Sequence, residues 1–344
     1  WANTLHHDLR VKLEPAQAWI SVSDNIQLPA DNADSIDFSL HSGLAVTAQD
    51  AELKSLGKSA HGHLRHYRLT DLPKSRRVTL IYQGKITSDI LQDQFGMPEY
   101  VLAQDGVYLD NASAWFPQFK TRPWMTFNLQ VEAPSGWEII SQGLRETHNR
   151  AFRFAMPHPQ DEIYLLGGRF KRYQQMQDKI ELVVYLREPD AKLAQSYLHA
   201  AAQYIRFYSE LIGPYPYTKF AVVENRWQTG YGMPSFTLLG SRVIRLPFIL
   251  HTSLPHEIVH NWWGNGVYID FADGNWSEGL TAYLSDHLDS EQRGQGAAYR
   301  RKALERYANF AAQGRDFPLS QFRSRHSDAS QAVGYSKSMM LFHM

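Results

Sequence analysis

The sequence predicts an α+β protein with two domains, an N-terminal antiparallel β domain followed by a mixed domain that is largely helical. Three observations predict this class. Short β-branched and aromatic segments separated by Pro, Gly, Asp and Asn fill the first part of the chain. Apolar residues recur at helical spacing from residue 191 onward. The chain has 344 residues, which is enough to bury two separate apolar cores.

The first domain is expected to span residues 1–189 and to form an antiparallel sandwich or saddle-like sheet. Alternation of apolar and polar residues is typical of strands that bury one face. A strand would point the adjacent His6 and His7 to opposite faces, and both are expected at the surface. The predicted strands are LRVKLEP, AWISVSD, SIDFSL, HYRLT, RVTLIYQG, MTFNLQVEAP, RFAMP and IELVVYL.

The second domain is expected to span residues 190–344. A helix over residues 191–212 is predicted to end at Gly213 and Pro214, and a strand with the sequence TKFAVVEN follows it. The segment QTGYGMPSFTLLGSRVI is predicted to be a glycine-containing loop that leads into an edge strand. From Ser253 onward the chain is predicted to be mostly helical.

Composition excludes several classes of function. Lys and Arg total 35, as do Asp and Glu, so the formal net charge is zero and no overall field attracts nucleic acid. There is no cysteine, so a metal ion must be held by histidine and carboxylate ligands. No apolar run approaches the roughly 20 residues that span a bilayer. We therefore expect no nucleic-acid partner and no membrane span.

The two ends of the chain suggest a processed or excised form. It begins at Trp1 and ends at Met344 within the apolar, helix-like run SKSMMLFHM, so we expect further chain downstream. Removal of an export signal would explain the first residue. On this ground an exported, periplasmic location is favoured over a cytoplasmic one.

The stretch LPHEIVHNWWGN carries the chemistry. His256 and His260 are four residues apart, which places both imidazoles on one face of a helix, with Glu257 beside them. This pattern predicts a site for one Zn²⁺ ion, with Glu257 free to take a proton from a metal-bound water. Two histidines and a glutamate also recur by chance on buried helices, so a third ligand is required.

Four downstream carboxylates are candidates for that third ligand. Glu278 is the strongest, because the sequence NWSE resembles a helix start with Asn275 as the cap and Glu278 in the first turn. The alternative is that Glu278 only closes this cap. For carboxylates in the intervening loop, full hydration is the simpler interpretation. The other three candidates are Asp270, Asp273 and Asp286.

The chemistry also needs a hydrogen-bond donor for the oxyanion that forms during hydrolysis, because zinc supplies only part of that stabilisation. Tyr335, within VGYSKSMM, is a candidate on chemical grounds. A phenol can donate its hydrogen to a developing negative charge. Spacing alone does not distinguish it from the other tyrosines of the chain.

The stretch HEIVHNWWGN followed by NWSEGLTAYL resembles the zinc signature of the aminopeptidase N family, the M1 gluzincins, written HExxHxWxGN and WxxEGxAxY. The resemblance implies a thermolysin-like catalytic domain behind the β domain, and a peptide substrate that loses residues from its N-terminus. It places His256, His260 and Glu278 on the zinc ligands, Glu257 on the general base and Tyr335 on the transition-state tyrosine. The C-terminal helical domain of many family members is expected to be absent from this chain.

One departure concerns substrate recognition. Family members carry a GxMEN stretch whose glutamate binds the free α-amine of the substrate, but this chain has GYGMPS, with Pro234 at the glutamate position. The sequence thus resembles a bacterial member with an altered motif. Gly232 and Met233 are expected to offer backbone groups to the substrate. Gln104, in VLAQDGVYLD, matches the glutamine of the family's Gln-x-Glu loop, and Asp105 beside it offers a carboxylate, so both are expected to supply part of the missing anchor.

Other carboxylates are weaker candidates for that anchor, namely Asp110, Glu224 and Glu99. The altered motif leaves two alternatives to an aminopeptidase. One is an endopeptidase with relaxed recognition of the N-terminus. The other is a zinc-containing protein that binds peptides as a scaffold but turns them over weakly.

Overall fold

A computed structural model describes residues 4–30, 33–87, 100–148, 151–226 and 230–344. The chain divides into two compact units, Trp1–Phe170 and Lys171–Met344. Within the described ranges, none of the helices combines the length and the apolar composition that a bilayer crossing requires.

The first unit is built from β-strands arranged in three sheets. Its largest sheet has seven strands in the order β13-β14-β11-β1-β2-β7-β4, and two four-stranded sheets have the orders β10-β3-β6-β5 and β12-β15-β9-β8. Most neighbours are antiparallel, but β1 pairs with β11 in parallel. The strands are β1 (Leu5–Glu14), β2 (Trp19–Gln27), β3 (Ile36–His41), β4 (Leu44–Gln49), β5 (Glu52–Lys58), β6 (Leu64–Thr70), β7 (Arg77–Lys85), β8 (Val101–Ala103), β9 (Gly106–Leu109), β10 (Gln118–Phe119), β11 (Met125–Glu132), β12 (Glu138–Ile140), β13 (Leu144–His148), β14 (Ala151–Gln160) and β15 (Leu165–Gly168).

Strict alternation along β1 places every second side chain in the core, including Leu9 and Val11. His7 shares this inward face and is fully buried, so the expectation that it lies at the surface is wrong. Its Nδ1 atom lies 2.8 Å from Oδ2 of Asp24, which is also fully buried on the neighbouring strand β2. A buried histidine is tolerated here because a buried carboxylate pairs with it.

The second unit contains a five-stranded sheet with the order β16-β17-β18-β20-β19. Its strands are β16 (Lys171–Gln177), β17 (Ile180–Leu186), β18 (Lys219–Asn225), β19 (Gly230–Met233) and β20 (Phe236–Gly240). The three central strands β17, β18 and β20 run in parallel, while β16 and β19 are antiparallel edges. The hairpin β16–β17 belongs to this unit because β17 pairs with β18, whereas the boundary predicted near Pro189 falls after the hairpin.

The helices of the second unit are α1 (Ala191–Leu211), α2 (Ser253–Val259), α3 (Ser277–Ala282), α4 (Leu288–Gln292), α5 (Gly296–Ala311), α6 (Asp328–Gln331) and α7 (Ser338–His343). The Asp190 side chain caps α1 by accepting a hydrogen bond of 2.9 Å from the Leu193 amide. A π-helical turn at Tyr283–His287 joins α3 to α4, and another at Ala332–Lys337 joins α6 to α7. Single π-helical turns within α-helices are frequent at functional sites.

Candidate metal centre and active site

The helix α2 presents the two histidines of the motif on one face. The apolar side chains of Leu254, Ile258 and Val259 are fully buried and fix the opposite face of the helix in the core. The His260 amide donates to the His256 carbonyl at 3.2 Å, so the histidines lie one turn apart, as their spacing predicts. Each keeps a partly exposed imidazole.

Glu278 enters the site from the first turn of α3. The Asn275 side chain accepts hydrogen bonds from the Ser277 amide at 3.0 Å and from the Ser277 hydroxyl at 2.9 Å, which stabilises the start of this helix. The Asn275 side chain therefore accepts these hydrogen bonds at the start of α3, and Glu278 is not needed for them. The carboxylate of Glu278 points to the histidine pair instead.

The three candidate ligand atoms form a compact triangle. Oε2 of Glu278 lies 3.4 Å from Nε2 of both His256 and His260, and the two nitrogens are 3.2 Å apart. Tetrahedral zinc with bonds of about 2.0–2.1 Å would separate adjacent ligand atoms by about 3.3–3.4 Å. Oε2 of Glu278 is buried and has no hydrogen-bond partner among the described residues. Within the described ranges this is the one His and carboxylate group able to hold a metal ion.

A second layer of groups orients both imidazoles. Nδ1 of His260 lies 3.0 Å from the Trp263 carbonyl oxygen, so Nδ1–H donates there and Nε2 presents its lone pair. Nδ1 of His256 lies 3.5 Å from Oδ2 of Asp286 and 3.4 Å from the Ser285 hydroxyl. Asp286, a candidate third ligand in the sequence, thus lies on the far side of His256 from the triangle.

The charges of the site act on its two glutamates in opposite directions. Burial alone would raise the pKa of Glu278, but the adjacent His260 and His256 lower that pKa well below its ordinary value. For Glu257, burial is the largest effect and raises the pKa of the carboxyl, although His256 and His260 oppose it. One carboxylate is therefore held ionised, whereas the other is suited to exchange a proton.

The edge strand β19 lies directly against the metal-binding helix. A Cβ atom added at Gly232 would lie 2.5 Å from Oε2 of Glu257 and 3.4 Å from Cβ of His260. At Gly230 the corresponding distance to Oε1 of Glu257 is 3.7 Å, an ordinary contact. Met233 follows with its side chain buried, so its part in the cleft is limited to backbone groups.

A tight turn connects β19 to β20 where the family motif places its glutamate. Met233 pairs with Phe236, which leaves only Pro234 and Ser235 in the turn. Ser235 has φ of +71°, as the third position of a type II turn requires. Its amide donates to Oδ1 of Asn261 at 2.8 Å. Both turn side chains are buried, so this turn brings no carboxylate to the cleft.

Tyr335 reaches the site from the π-helical turn after α6. Its ring stacks on that of His256, with centroids 6.1 Å apart and planes inclined by 13°, and Phe322 contacts it edge-on at 6.2 Å. Burial first, and then the charge of Glu278, raise the pKa of Tyr335 far above its ordinary value. The phenol therefore keeps its proton at any working pH and can act only as a hydrogen-bond donor or neutral acceptor.

Solved structures and curated proteins that resemble this chain include zinc metallopeptidases and aminopeptidases. The native yeast LTA4 hydrolase structure aligns with a TM-score of 0.72 at 20% identity, over 99% of this chain and 58% of that one. The M1 zinc metallopeptidase from Deinococcus radiodurans gives 0.70 at 20% identity, over 99% of this chain and 82% of that one. Human aminopeptidase RNPEPL1 is 26% identical over 232 residues, which is 61% of this chain and 30% of that protein.

The chain shares the fold of the M1 zinc metallopeptidases and is related in sequence to aminopeptidases. Yeast alanine/arginine aminopeptidase is a further relative, 26% identical over 191 residues, or 48% of this chain and 22% of that protein. No protein-family model matches the chain. The fold class predicted from the sequence, a β domain followed by a thermolysin-like catalytic domain, is confirmed. The chain spans less than a third of the length of these two curated relatives.

The other residues predicted to bind substrate differ in exposure and in their contacts. Gln104 and Asp105 form the exposed turn of the β8–β9 hairpin in the first unit, and their role stays a prediction. Glu224 is buried, and its carboxylate contacts the Arg245 guanidinium at 2.6 Å and the Arg187 amide at 2.8 Å, so it supports the fold. Glu99 lies outside the described residues.

Asp110 supports the loop that follows β9. Its Oδ1 atom accepts a hydrogen bond of 3.0 Å from the Ala112 amide, an arrangement typical of an Asx turn. Its carboxylate therefore serves local backbone structure in the first unit.

The sequence analysis did not predict two residues that support the site. Asn261, directly after the second histidine, is fully buried and joins the metal-binding helix to the β19–β20 turn. The sequence signal for this role is a single amide side chain followed directly by two tryptophans. Phe322 supports Tyr335 from a distant segment, and nothing in its local sequence marks it.

Proposed function

We propose that this chain is a zinc-dependent metallopeptidase that hydrolyses peptide bonds and releases residues from the N-terminus of a peptide. The observation that supports this most directly is the triangle of His256, His260 and Glu278 beside Glu257. The curated relatives over the matched part of the chain are aminopeptidases. The unpartnered oxygen of Glu278 fits a cation better than it fits a protein donor.

His256, His260 and Glu278 would hold one zinc ion, which would supply a Lewis acid and an activated water. The chain fixes the ligands from behind, because the Trp263 carbonyl and Asp286 engage the far nitrogens of the two imidazoles. Such outer partners set the ring orientation and raise the basicity of the ligand nitrogens. Three protein ligands are the number that catalytic zinc sites usually provide.

Glu257 is the group that holds and moves the proton. It lies on α2 between the two histidines, and its carboxylate borders the backbone of β19 at Gly232. Because burial raises the pKa of this carboxyl, it is better suited than an exposed glutamate to accept a proton from water. In the proposed reaction it passes that proton to the amine that leaves.

Tyr335 stabilises the oxyanion. The stack on His256 and the edge contact with Phe322 hold its ring in place before a substrate binds. Its hydroxyl keeps a proton and can donate it as a hydrogen bond to the carbonyl oxygen of the scissile bond as negative charge develops. Removal of one such donor typically costs about 10²–10³ in kcat.

The strand β19 supplies the binding edge. It is the last strand of the sheet, so an extended peptide can add to its outer side through main-chain hydrogen bonds. Gly232 lets the substrate backbone approach Glu257, since a side chain at this position would occupy the same space. Gly232 and Met233 therefore contribute backbone groups alone.

The proposal is tested with Glu257→Gln. Loss of the proton carrier should reduce hydrolysis of an N-terminal residue by at least about 10²-fold, while elemental analysis should still find one zinc per chain. Glu305→Gln on the exposed part of α5 is the matched control and should keep full activity. Undiminished hydrolysis by the Glu257 variant, or purified protein without zinc after refolding in its presence, would refute the proposal.

The Pro234–Ser235 turn favours a second candidate, an endopeptidase with relaxed recognition of the N-terminus. This turn has no carboxylate to pair with an α-amine, and a buried ammonium without a partner is costly. Peptides with free and with acetylated N-termini separate the candidates. A preference for the free amine supports the aminopeptidase, equal cleavage supports the endopeptidase, and binding without cleavage supports the scaffold.

A further inference from the structure

A cavity of about 290 Å³ lies within the second unit between the helix pair α3–α4, the helix α5 and the segment from α6 to α7. Its apolar floor includes Ala282, Ala303 and Met339, which belong to one buried cluster. This volume is at the lower end for small-ligand sites and suits a single side chain or the end of a short peptide.

The cavity shares two walls with the proposed metal centre. Tyr335 lines it and stacks on His256, and Asp286 lines it with Oδ2 at 3.5 Å from Nδ1 of His256. The cavity therefore adjoins the proposed metal centre through Tyr335.

Two cations line the same cavity from α5. Lys302 and Arg306 are four residues apart, so they share one helix face, and both are exposed. Neither forms an ion pair with any residue in the described ranges. Gln331 adds an amide on the opposite side. Asp286 is the one acidic residue that lines the cavity, and His256 already engages its carboxylate.

We propose that this cavity is a subsite for a carboxylate of the substrate, bound by Lys302 and Arg306. The inference rests on the proposed peptidase function. The carboxylate can be the C-terminus of a di- or tripeptide or the side chain of an acidic residue. A guanidinium and an ammonium one helical turn apart can both contact a carboxylate, and hydrogen bonds between charged groups are the stronger kind.

Binding is measured by calorimetry with the zinc-loaded Glu257→Gln chain, so that no peptide is consumed. Ala-Ala-Ala as the free acid is compared with its C-terminal amide, and Ala-Glu-Ala-amide with Ala-Gln-Ala-amide. The first pair tests a C-terminal carboxylate and the second an acidic side chain. We expect at least one acid to bind about tenfold more tightly than its neutral partner.

Substitution of the cations identifies the site. Lys302→Gln and Arg306→Gln, each in the same background, should reduce that preference severalfold and together abolish it. Arg301→Gln removes an exposed cation of α5 that does not line the cavity, and it should leave the preference intact.

Equal binding of acid and neutral peptides, absence of binding, or a preference that survives both substitutions would overturn the inference. If the cations merely neutralise Asp286, all peptides should weaken equally, which would also overturn it. Failure of the peptidase function is seen separately, because the unsubstituted chain would then bind these peptides without cleaving them.

Discussion

Gly232 has no space beside it for a side chain, because the Glu257 carboxylate lies too close. Gly232→Ala would bring a methyl group to 2.5 Å from Oε2 of Glu257, so the carboxylate must move. We expect kcat to fall by about 10²-fold, since misplacement of a catalytic group by about 1 Å can cost that much. Zinc content should be unchanged. The measurement is steady-state kinetics with metal analysis of the same preparation.

Gly230→Ala provides the control for this change. Its added methyl group would lie 3.7 Å from the same carboxylate, an ordinary contact, so activity should stay close to that of the parent chain. Equal losses in the two variants would mean that glycine flexibility in β19, and not the space beside Glu257, explains the effect.

The buried pair of His7 and Asp24 predicts a dependence of stability on pH. Burial raises the pKa of Asp24 above its ordinary value, although His7 opposes the shift. The folded state therefore favours the protonated carboxyl, and this contribution to stability is lost as pH rises from about 4 through the raised pKa. Asp24→Asn cannot ionise and should lose this dependence.

We expect the unfolding free energy of the parent chain, relative to Asp24→Asn, to decrease between pH 4 and pH 8, by up to about 1.4 kcal/mol per pH unit. Urea denaturation at several pH values measures the difference. Asp50→Asn, at an exposed position of the same unit, should show no such trend. A difference that rises with pH would contradict the assignment.

Among the elements, the C-terminal end of α2 and the β19–β20 turn are joined through one side chain. Oδ1 of Asn261 accepts hydrogen bonds from the Ser235 amide at 2.8 Å and the Tyr215 hydroxyl at 3.1 Å, and Nδ2 donates to the Glu257 and Ile258 carbonyls, each at 3.1 Å. Without the side-chain amide of Asn261, the Ser235 amide, the Tyr215 hydroxyl and the two carbonyls would each lose this hydrogen bond. The β19–β20 turn and the helix α2 are thereby fixed to each other.

Asn261→Ala should lower the free energy of unfolding by about 2–3 kcal/mol, because it leaves buried donors and acceptors unsatisfied. Asn265→Ala is the matched control, since the described contact of Asn265 uses its backbone carbonyl, and it should cost little. Chemical denaturation of both variants gives the comparison. A small effect at Asn261 would mean that water replaces its hydrogen bonds.

Local sequence patterns were sufficient to predict the helical elements of the site. They were not sufficient to predict contacts between residues that are far apart in the sequence. The spacing of His256 and His260, and the hydrogen bond between the Asn275 side chain and the first residue of α3, follow from rules within one or two turns of helix. Burial of His7 depends on Asp24 in the next strand, and the support of Tyr335 by Phe322 depends on a loop. Such contacts leave no periodic signal in the sequence.

At the scale of the whole molecule, the sequence predicted the order and class of the two units, and the domain boundary near Pro189 stays a prediction. The change from strand to helix at Pro189 is visible in composition, yet β17 precedes it and pairs in parallel with β18. Parallel neighbours are joined by long crossovers, here α1, so the pairing is not apparent from adjacent residues. The M1 fold nevertheless accounts for 99% of the chain.

The two π-helical turns constrain how this chain can change in length. Tyr283–His287 contains Asp286, and Ala332–Lys337 contains Tyr335. A π turn accommodates one additional residue, and each residue rotates a helix by about 100°. Deletion of a single residue at either turn would restore a regular helix while turning Asp286 or Tyr335 away from His256. Homologues that keep this chemistry should therefore tolerate substitutions in these two turns far better than length changes.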